Sequence, residues 1–262
     1  MAKIRSLEVG GKPVAGGRVP LICTPVVGRT GRAVLEEAAA VLEKKPDLLE
    51  WRVDFFEGLG RTGEVLELAR QIRKAAGTVP IIFTRRSATE GGEPNLVSED
   101  QVIALYGAVC ESRLVDFVDY ELAHPPENLR AVRGASKAHG VGLIMSFHDF
   151  KRTPPAEEIF RKFSDAENAG ADVAKVAAMP QGLEDVLAVL TATLRAHHEL
   201  TVPLISMSMG PYGSVSRMLG GLFGSAVSFA VGKAASAPGQ VPIEDLRTVL
   251  AIVDRAVGAG QR

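Results

Sequence analysis

The 262-residue sequence predicts an α/β fold closed as a (β/α)8 barrel, the TIM-barrel architecture, and three observations carry that prediction. Eight short apolar, β-rich runs alternate with longer stretches of helical periodicity. The tripeptide start "VP" followed by Leu or Ile recurs at 19, 79 and 202, separations near two and four units of about thirty residues, the size of a βα unit. No Pro/Ser-rich linker interrupts the alternation, so residues 1–262 read as a single barrel domain. An open doubly wound sheet usually has fewer strands.

Taken in order, "KIRSLEVGGKPVAGG" reads as a short N-terminal β-hairpin turning at Gly10 and Gly11, a plug across the barrel floor. The eight strands follow as "VPLICTPVV" from 19, "LLEWRVD" from 48, "VPIIFTRR" from 79, "FVDYEL" from 117, "GLIMSFHD" from 142, "DVAKVAAM" from 172, "VPLISMSM" from 202 and "SAVSFAVG" from 225. Segments such as "AVLEEAAAVLEKK" and "TGEVLELARQIRKAAG" lie between them. Their apolar residues recur at helical spacing, and their ends carry Gly.

Composition narrows the partners. The chain carries 30 basic and 31 acidic residues, a formal net charge of -1, which gives no broad electrostatic footprint for nucleic acid or an anionic membrane. Small partners, or none, are expected instead. Cys23 and Cys110 lie far apart in apolar surroundings and read as buried free thiols. "MAKIRSLEVGG" lacks an apolar core, and no segment approaches the ~18 apolar residues of a spanning helix, so a soluble, cytoplasmic protein is expected.

The barrel gives the polar strand residues a place. In "LLEWRVD" the alternation sets Glu50, Arg52 and Asp54 on one face and Leu49, Trp51 and Val53 on the other. Helices cover the outside of a barrel, so the apolar face points outward and the charges point into the lumen, where they must pair or meet a ligand. Ser146 and His148 share one face of the fifth strand, and Lys175 shares a face of the sixth with Val173 and Ala177. His148 and Lys175 stand 27 residues apart, one βα unit, which places an imidazole and an amine on adjacent strands near the C-terminal mouth.

A lysine inside an apolar strand is either a nucleophile or an ordinary buried ion-pair partner. Lys233 in "AVGKAASAPG" is a rival nucleophile, but its loop after the last strand is more easily solvated. His124, His139, His197 and His198 sit in polar loops or helix ends and are not read as catalytic. No HExxH, CxxC or facial grouping of His and carboxylate supports a metal, and "GGLFGS" at 220 lacks the spacing of a phosphate or dinucleotide cradle.

Seven strings in barrel order, "EWRVD", "FTRRSATEGGE", "VDYEL", "MSFHDF", "ADVAKVA", "SMGPYGSVSR" and "SAPGQ", resemble the motif set of type I 3-dehydroquinate dehydratase. The resemblance covers nearly the whole barrel. It implies dehydration of 3-dehydroquinate to 3-dehydroshikimate through a lysine Schiff base, in a homodimer without metal or organic cofactor. Carried onto this sequence, it makes Lys175 the imine-forming lysine, His148 the proton-transfer group and Glu90 the acidic residue associated with that histidine. It further implies that Glu50, Arg52 and Arg86 hold the ring hydroxyls and that Arg217 grips the carboxylate. Ser236 and Gln240 then belong to a loop that closes over the site. Pro211 and Tyr212 depart from the pattern beside Arg217.

Loss of a hydroxyl β to a ketone needs removal of a weakly acidic proton, and a protonated imine supplies the electron sink. The attacking amine must be neutral, a state expected here from desolvation and the Arg52 and Arg86 guanidinium groups. Two other readings remain. Schiff-base aldolases are also barrels with a lysine on the sixth strand, but they often bind phosphate through a Gly-rich loop between strands seven and eight, where this chain has an arginine. A catalytically dead barrel kept for binding is the third.

Overall fold

The computed structural model describes residues 7–9, 12–14 and 19–259. Its main sheet holds eight parallel strands: β3 (Leu21–Val26), β4 (Leu48–Arg52), β5 (Ile81–Thr84), β6 (Phe117–Glu121), β7 (Gly142–Asp149), β8 (Val173–Ala178), β9 (Leu204–Ser208) and β10 (Val227–Phe229). The order β10-β3-β4-β5-β6-β7-β8-β9 comes round on itself, with a parallel bridge between Leu204 and Ser225 bringing the two edges together. This is the expected barrel. The antiparallel pair β1 (Leu7–Val9) and β2 (Lys12–Val14) lies outside it; the turn expected at Gly10 and Gly11 falls outside the described residues. Val14 packs into the lumen floor with Leu48, Ile82, Phe117 and Val227, so the hairpin does close the bottom.

The helices α1 (Gly31–Glu43), α2 (Thr62–Ala76), α3 (Glu99–Ser112), α4 (Pro126–His139), α5 (Ala156–Asn168), α6 (Leu183–Glu199), α7 (Gly210–Leu219) and α8 (Ile243–Ala259) wrap the outside. Local chemistry sets several ends. The Thr30 hydroxyl accepts from the Ala33 N–H at the start of α1, and Ser98 and Gln101 form a reciprocal capping box on α3. Pro125 and Pro126 open α4, and Gly140 ends it in the left-handed conformation.

Strand parity sorts the core into two. Leu49, Trp51 and Phe83 face outward into the shell shared with the helices, where Trp51 meets Phe83 edge-on at 5.6 Å between ring centroids. Cys23, Ile82, Ile144, Val173 and Ile205 face inward. Cys23 and Cys110 are both buried free thiols, and burial pushes Cys110 up to about 11. Among the described residues no helix is long and apolar enough to cross a membrane.

A repeated device fixes the register of alternate strands. Asp47, Asp116 and Asp172 each stand one residue before β4, β6 and β8. Each carboxylate accepts an early N–H of the preceding strand: Ile22 at 2.9 Å, Ile81 at 2.7 Å and Leu143 at 2.9 Å. Arg73 binds Asp116, and Arg133 binds Asp172 at 2.6 Å, tying a helix to the same corner. Asp172→Ala leaves the Leu143 N–H and Arg133 without their partner. Urea unfolding should show a loss of about 1–3 kcal/mol while turnover stays near wild type; unchanged stability would mean that the corner contributes nothing.

Candidate active site

The inward residues change character along each strand. Near the floor they are apolar; from the middle upward they are Glu50 and Arg52 on β4, Asp119 and Glu121 on β6, Ser146 and His148 on β7, and Lys175 on β8. Parallel pairing sets Lys175 opposite Ser146 and His148 opposite Ala177, so the imidazole rises one step above the amine. The lysine is 5 % exposed.

Lys175 Nζ donates to Asp119 Oδ2 at 2.8 Å, with Glu50 Oε1 at 3.6 Å and the Phe229 ring 4.7 Å away. Carboxylates rather than guanidinium groups are its nearest charged neighbours. Arg52 and Arg86, the guanidinium groups expected to act on the amine, are themselves paired with carboxylates. Arg86 is occupied elsewhere. Its Nη2 donates to Asp119 Oδ1 at 2.8 Å, and its Nη1 to Ser146 Oγ at 2.8 Å and Glu121 Oε1 at 3.1 Å. Burial raises the Asp119 carboxyl, but Arg86 and Lys175 outweigh it and hold the group far below the usual carboxylate range.

Arg52 makes a two-pronged pair with Asp54, 2.8 Å on each arm. The Asp54 oxygens also accept the N–H of Arg86 at 3.3 Å and of Glu93 at 3.1 Å, so one carboxylate fastens both ends of the turn after β5. That turn carries Glu90. A Cβ on Gly92 would stand 2.0 Å from the Arg86 carbonyl oxygen, so only glycine lets the turn fold back this tightly.

Glu90 Oε2 lies 2.9 Å from both the backbone N and the Nδ1 of His148. Burial, then the positive charges of Arg86 and Lys175, push His148 well below its ordinary value. Burial, with Glu121 and Asp119 adding to it against Arg86, pushes Glu90 up to about 8. Both groups are therefore driven toward their uncharged forms, and the pair titrates as a unit.

Arg217 lies in α7, 1 % exposed, and donates to neutral acceptors: the Phe229 carbonyl at 3.3 Å, the Pro238 carbonyl at 3.1 Å and the Met207 sulfur at 3.4 Å. Its Nε has no partner, and desolvation lowers the guanidinium to about 10. Pro211, one of the two departures from the family pattern, opens α7, and the other, Tyr212, is exposed. The 234–240 segment lies over the mouth. Ser236 N–H donates to Gln240 Oε1 at 3.1 Å, Gln240 Nε2 to Ser236 Oγ at 3.3 Å, and Arg52 reaches the Ser236 carbonyl at 3.4 Å. Gly239, at φ +77°, sits where a Cβ would stand 2.0 Å from the Gly210 carbonyl oxygen.

Glu50, Arg52, Arg86, Glu90, His148, Lys175, Ser236 and Gln240 thus line one cavity of about 410 Å³ counted with its opening, with Phe150, Ala177, Met207, Met209 and Phe229 as its apolar wall. Arg217 borders it through Met207 and Phe229. Lys233 does not line it. Sequence reasoning missed Asp119 and Glu121. The alternation of "FVDYE" puts both on the lumen face by the parity already applied to Glu50 and Arg52, so the signal was present.

A closed (β/α)8 barrel with a buried lysine and a histidine at its C-terminal mouth carries ionisable side chains at the end where barrel enzymes have their active sites. The model of type I 3-dehydroquinase matches residues 22–256, and the chain belongs to that family, enzymes of the shikimate pathway. It is 57 % identical to a 3-dehydroquinate dehydratase of Aromatoleum aromaticum over 98 % of this chain and 99 % of that one. It is 54 % identical to one from Albidiferax ferrireducens over 100 % and 99 %. The crystal structure of the Geobacillus kaustophilus 3-dehydroquinate dehydratase superposes with a TM-score of 0.94 at 47 % identity, covering 96 % of this chain and 97 % of that one. A Clostridium difficile type I enzyme, described with covalently modified comenic acid, superposes at 0.92 and 36 % identity over 97 % and 99 %.

The Glu90 shift has a thermodynamic consequence. Native Glu90 keeps its proton up to about pH 8, against an ordinary value of 4.5, so across that window the folded state binds the extra proton. Its contribution to stability is complete below the ordinary value and is lost as pH rises toward 8. Wild type should therefore lose stability relative to Glu90→Gln between pH 5 and pH 8, by a few kcal/mol at most, on the order expected for a shift of this size. Urea unfolding of both proteins at the two pH values measures it; a constant difference would show Glu90 ionised throughout.

Proposed function

We propose that this chain dehydrates 3-dehydroquinate to 3-dehydroshikimate through an imine formed on Lys175. The observation that carries the mechanism is a lysine amine buried among carboxylates beneath an imidazole that burial pushes well below its ordinary value, both lining the lumen cavity. His148 takes a proton from Lys175, the freed amine attacks the ketone carbon, and the same proton is returned to the carbinolamine hydroxyl, which leaves as water to give a protonated imine. His148, kept neutral by burial, is the base that takes the proton on the adjacent carbon. The electron pair moves into the imine, then expels the β-hydroxyl, which leaves as water with the proton that His148 returns. Hydrolysis of the product imine restores Lys175.

The other residues follow from their surroundings. Glu90 holds the imidazole through Nδ1, leaving Nε2 for the substrate. Glu50, Arg52 and Arg86 present acceptors and donors to ring hydroxyls. Arg217, a buried cation with neutral acceptors only, supplies the charge complement for a carboxylate. Ser236 and Gln240 cover the ligand. The aldolase reading finds less support, because Arg217 stands where phosphate-binding aldolases carry a Gly-rich loop.

Borohydride added with 3-dehydroquinate should fix substrate mass on the peptide containing Lys175, and Lys175→Ala should abolish both labelling and turnover. Label on Lys233 would sink the assignment. His148→Ala should still be trapped, with covalent adduct accumulating as turnover falls by more than about 100-fold, the scale of a lost general base. Arg217→Lys should raise KM more than it lowers kcat, since a point charge replaces the fork. Hydrogen exchange across 234–240 should slow on ligand addition; equal protection would make the segment a static wall.

A further inference from the structure

His124 is half-buried in the loop between β6 and α4 and does not line the catalytic cavity. Three features hold it still. Its ring stacks on Tyr120 at 4.5 Å and 18°, its backbone precedes Pro125, and its Nε2 lies 2.9 Å from Glu121 Oε2. The charged groups facing it are Glu121 from β6 and Glu99 from α3, the latter at 3.6 Å. Each of these carboxylates is shared with an arginine: Glu99 with Arg85 at 3.3 Å and Glu121 with Arg86 at 3.1 Å.

The other oxygen of Glu121 is what reaches the site. Oε1 accepts the Ser87 N–H at 2.6 Å as well as Arg86 Nη1, so it grips the start of the turn that carries Glu90. Burial would raise Glu121, but His124, Arg86 and the Ser87 N–H together hold it at about 2, so it stays an anion. A carboxylate with both oxygens engaged has one orientation. Removing the outer donor leaves Oε2 unpaired and lets the carboxylate turn about its own axis.

We propose that His124 is a positioning residue: by saturating Glu121 from outside, it fixes the Ser87–Glu90 turn and, through Glu90, the imidazole of His148. The proposal rests on the reading of the site as a dehydratase in which His148 moves the proton. Arg86 keeps Asp119 and Ser146 whatever His124 does, so ground-state binding is largely spared and the effect falls on the proton-transfer step.

The test compares His124→Phe, which keeps the stacked ring and removes the donor, with His124→Gln, which restores a donor. Two readouts are used: steady-state dehydration of 3-dehydroquinate, and hydrogen exchange in the peptide spanning 86–91. For His124→Phe kcat should fall about 3- to 10-fold, the size of one lost hydrogen bond, with KM within about twofold and faster exchange at 86–91. His124→Gln should recover most of both losses. A His124→Phe enzyme with wild-type kcat and wild-type exchange overturns the proposal, as does a Gln variant no better than Phe. Inactive wild-type protein would instead overturn the dehydratase reading, while the exchange data would still decide the link between His124 and the turn.

Discussion

Closing eight strands into a barrel encloses charged side chains that water no longer solvates, and the arrangement of the site follows from how those charges satisfy one another. Arg86 is the centre of that settlement. Its guanidinium binds Asp119, Glu121 and Ser146 at once, reaching across from β5 to β6 and β7. Asp119 is thereby held with one oxygen toward Arg86 and the other toward Lys175. Removing Arg86 would not delete one contact. It would leave two carboxylates buried without their shared cation, a cost of several kcal/mol by the usual scale for broken buried pairs.

The lumen uses two ways of avoiding an isolated buried charge, while Arg217 beside it is lowered by desolvation only to about 10 and so stays a cation at neutral pH without a carboxylate partner. Arg52, Arg86 and Lys175 pair with carboxylates, whereas Glu90 and His148 move toward their neutral forms. Arg217 is fully buried, yet its acceptors are carbonyls and a sulfur. Its attraction for an incoming anion is correspondingly undiminished by any internal rival, and one of its carbonyl acceptors, Pro238, belongs to the covering loop. The Pro238 carbonyl thus ties the 234–240 segment directly to the Arg217 guanidinium.

The barrel is legible in the sequence because its signals are local and repeated: parity within strands, periodicity within helices, and regular spacing between them. The same parity puts Glu50, Arg52, His148 and Lys175 in the lumen. It does not say which lumen residues touch. Whether Lys175 meets a guanidinium or a carboxylate depends on the stagger between strands and on side-chain length. Arg86 escapes parity altogether, since it lies beyond the end of β5 and turns back toward Asp119. The pairing of Asp54 with the N–H groups of Arg86 and Glu93 is similarly invisible, because it joins distant segments through a loop without periodicity.

Height along the strand decides what each inward position is for. On β8 the inward residues are Val173, Lys175 and Ala177, which read upward as floor, buried amine and open space. On β7 the series is Ile144, Ser146 and His148, with Ser146 small enough to accept the Arg86 guanidinium and His148 standing beside Ala177. A bulkier residue at 177 would fill the cavity above Lys175, so the methyl there is as much a part of the site as the charges are. The apolar floor has a complementary effect. With Val173, Ile144, Leu48 and Phe117 packed below, the charged layer rests on an apolar floor, and such low-dielectric surroundings strengthen the pairs above it.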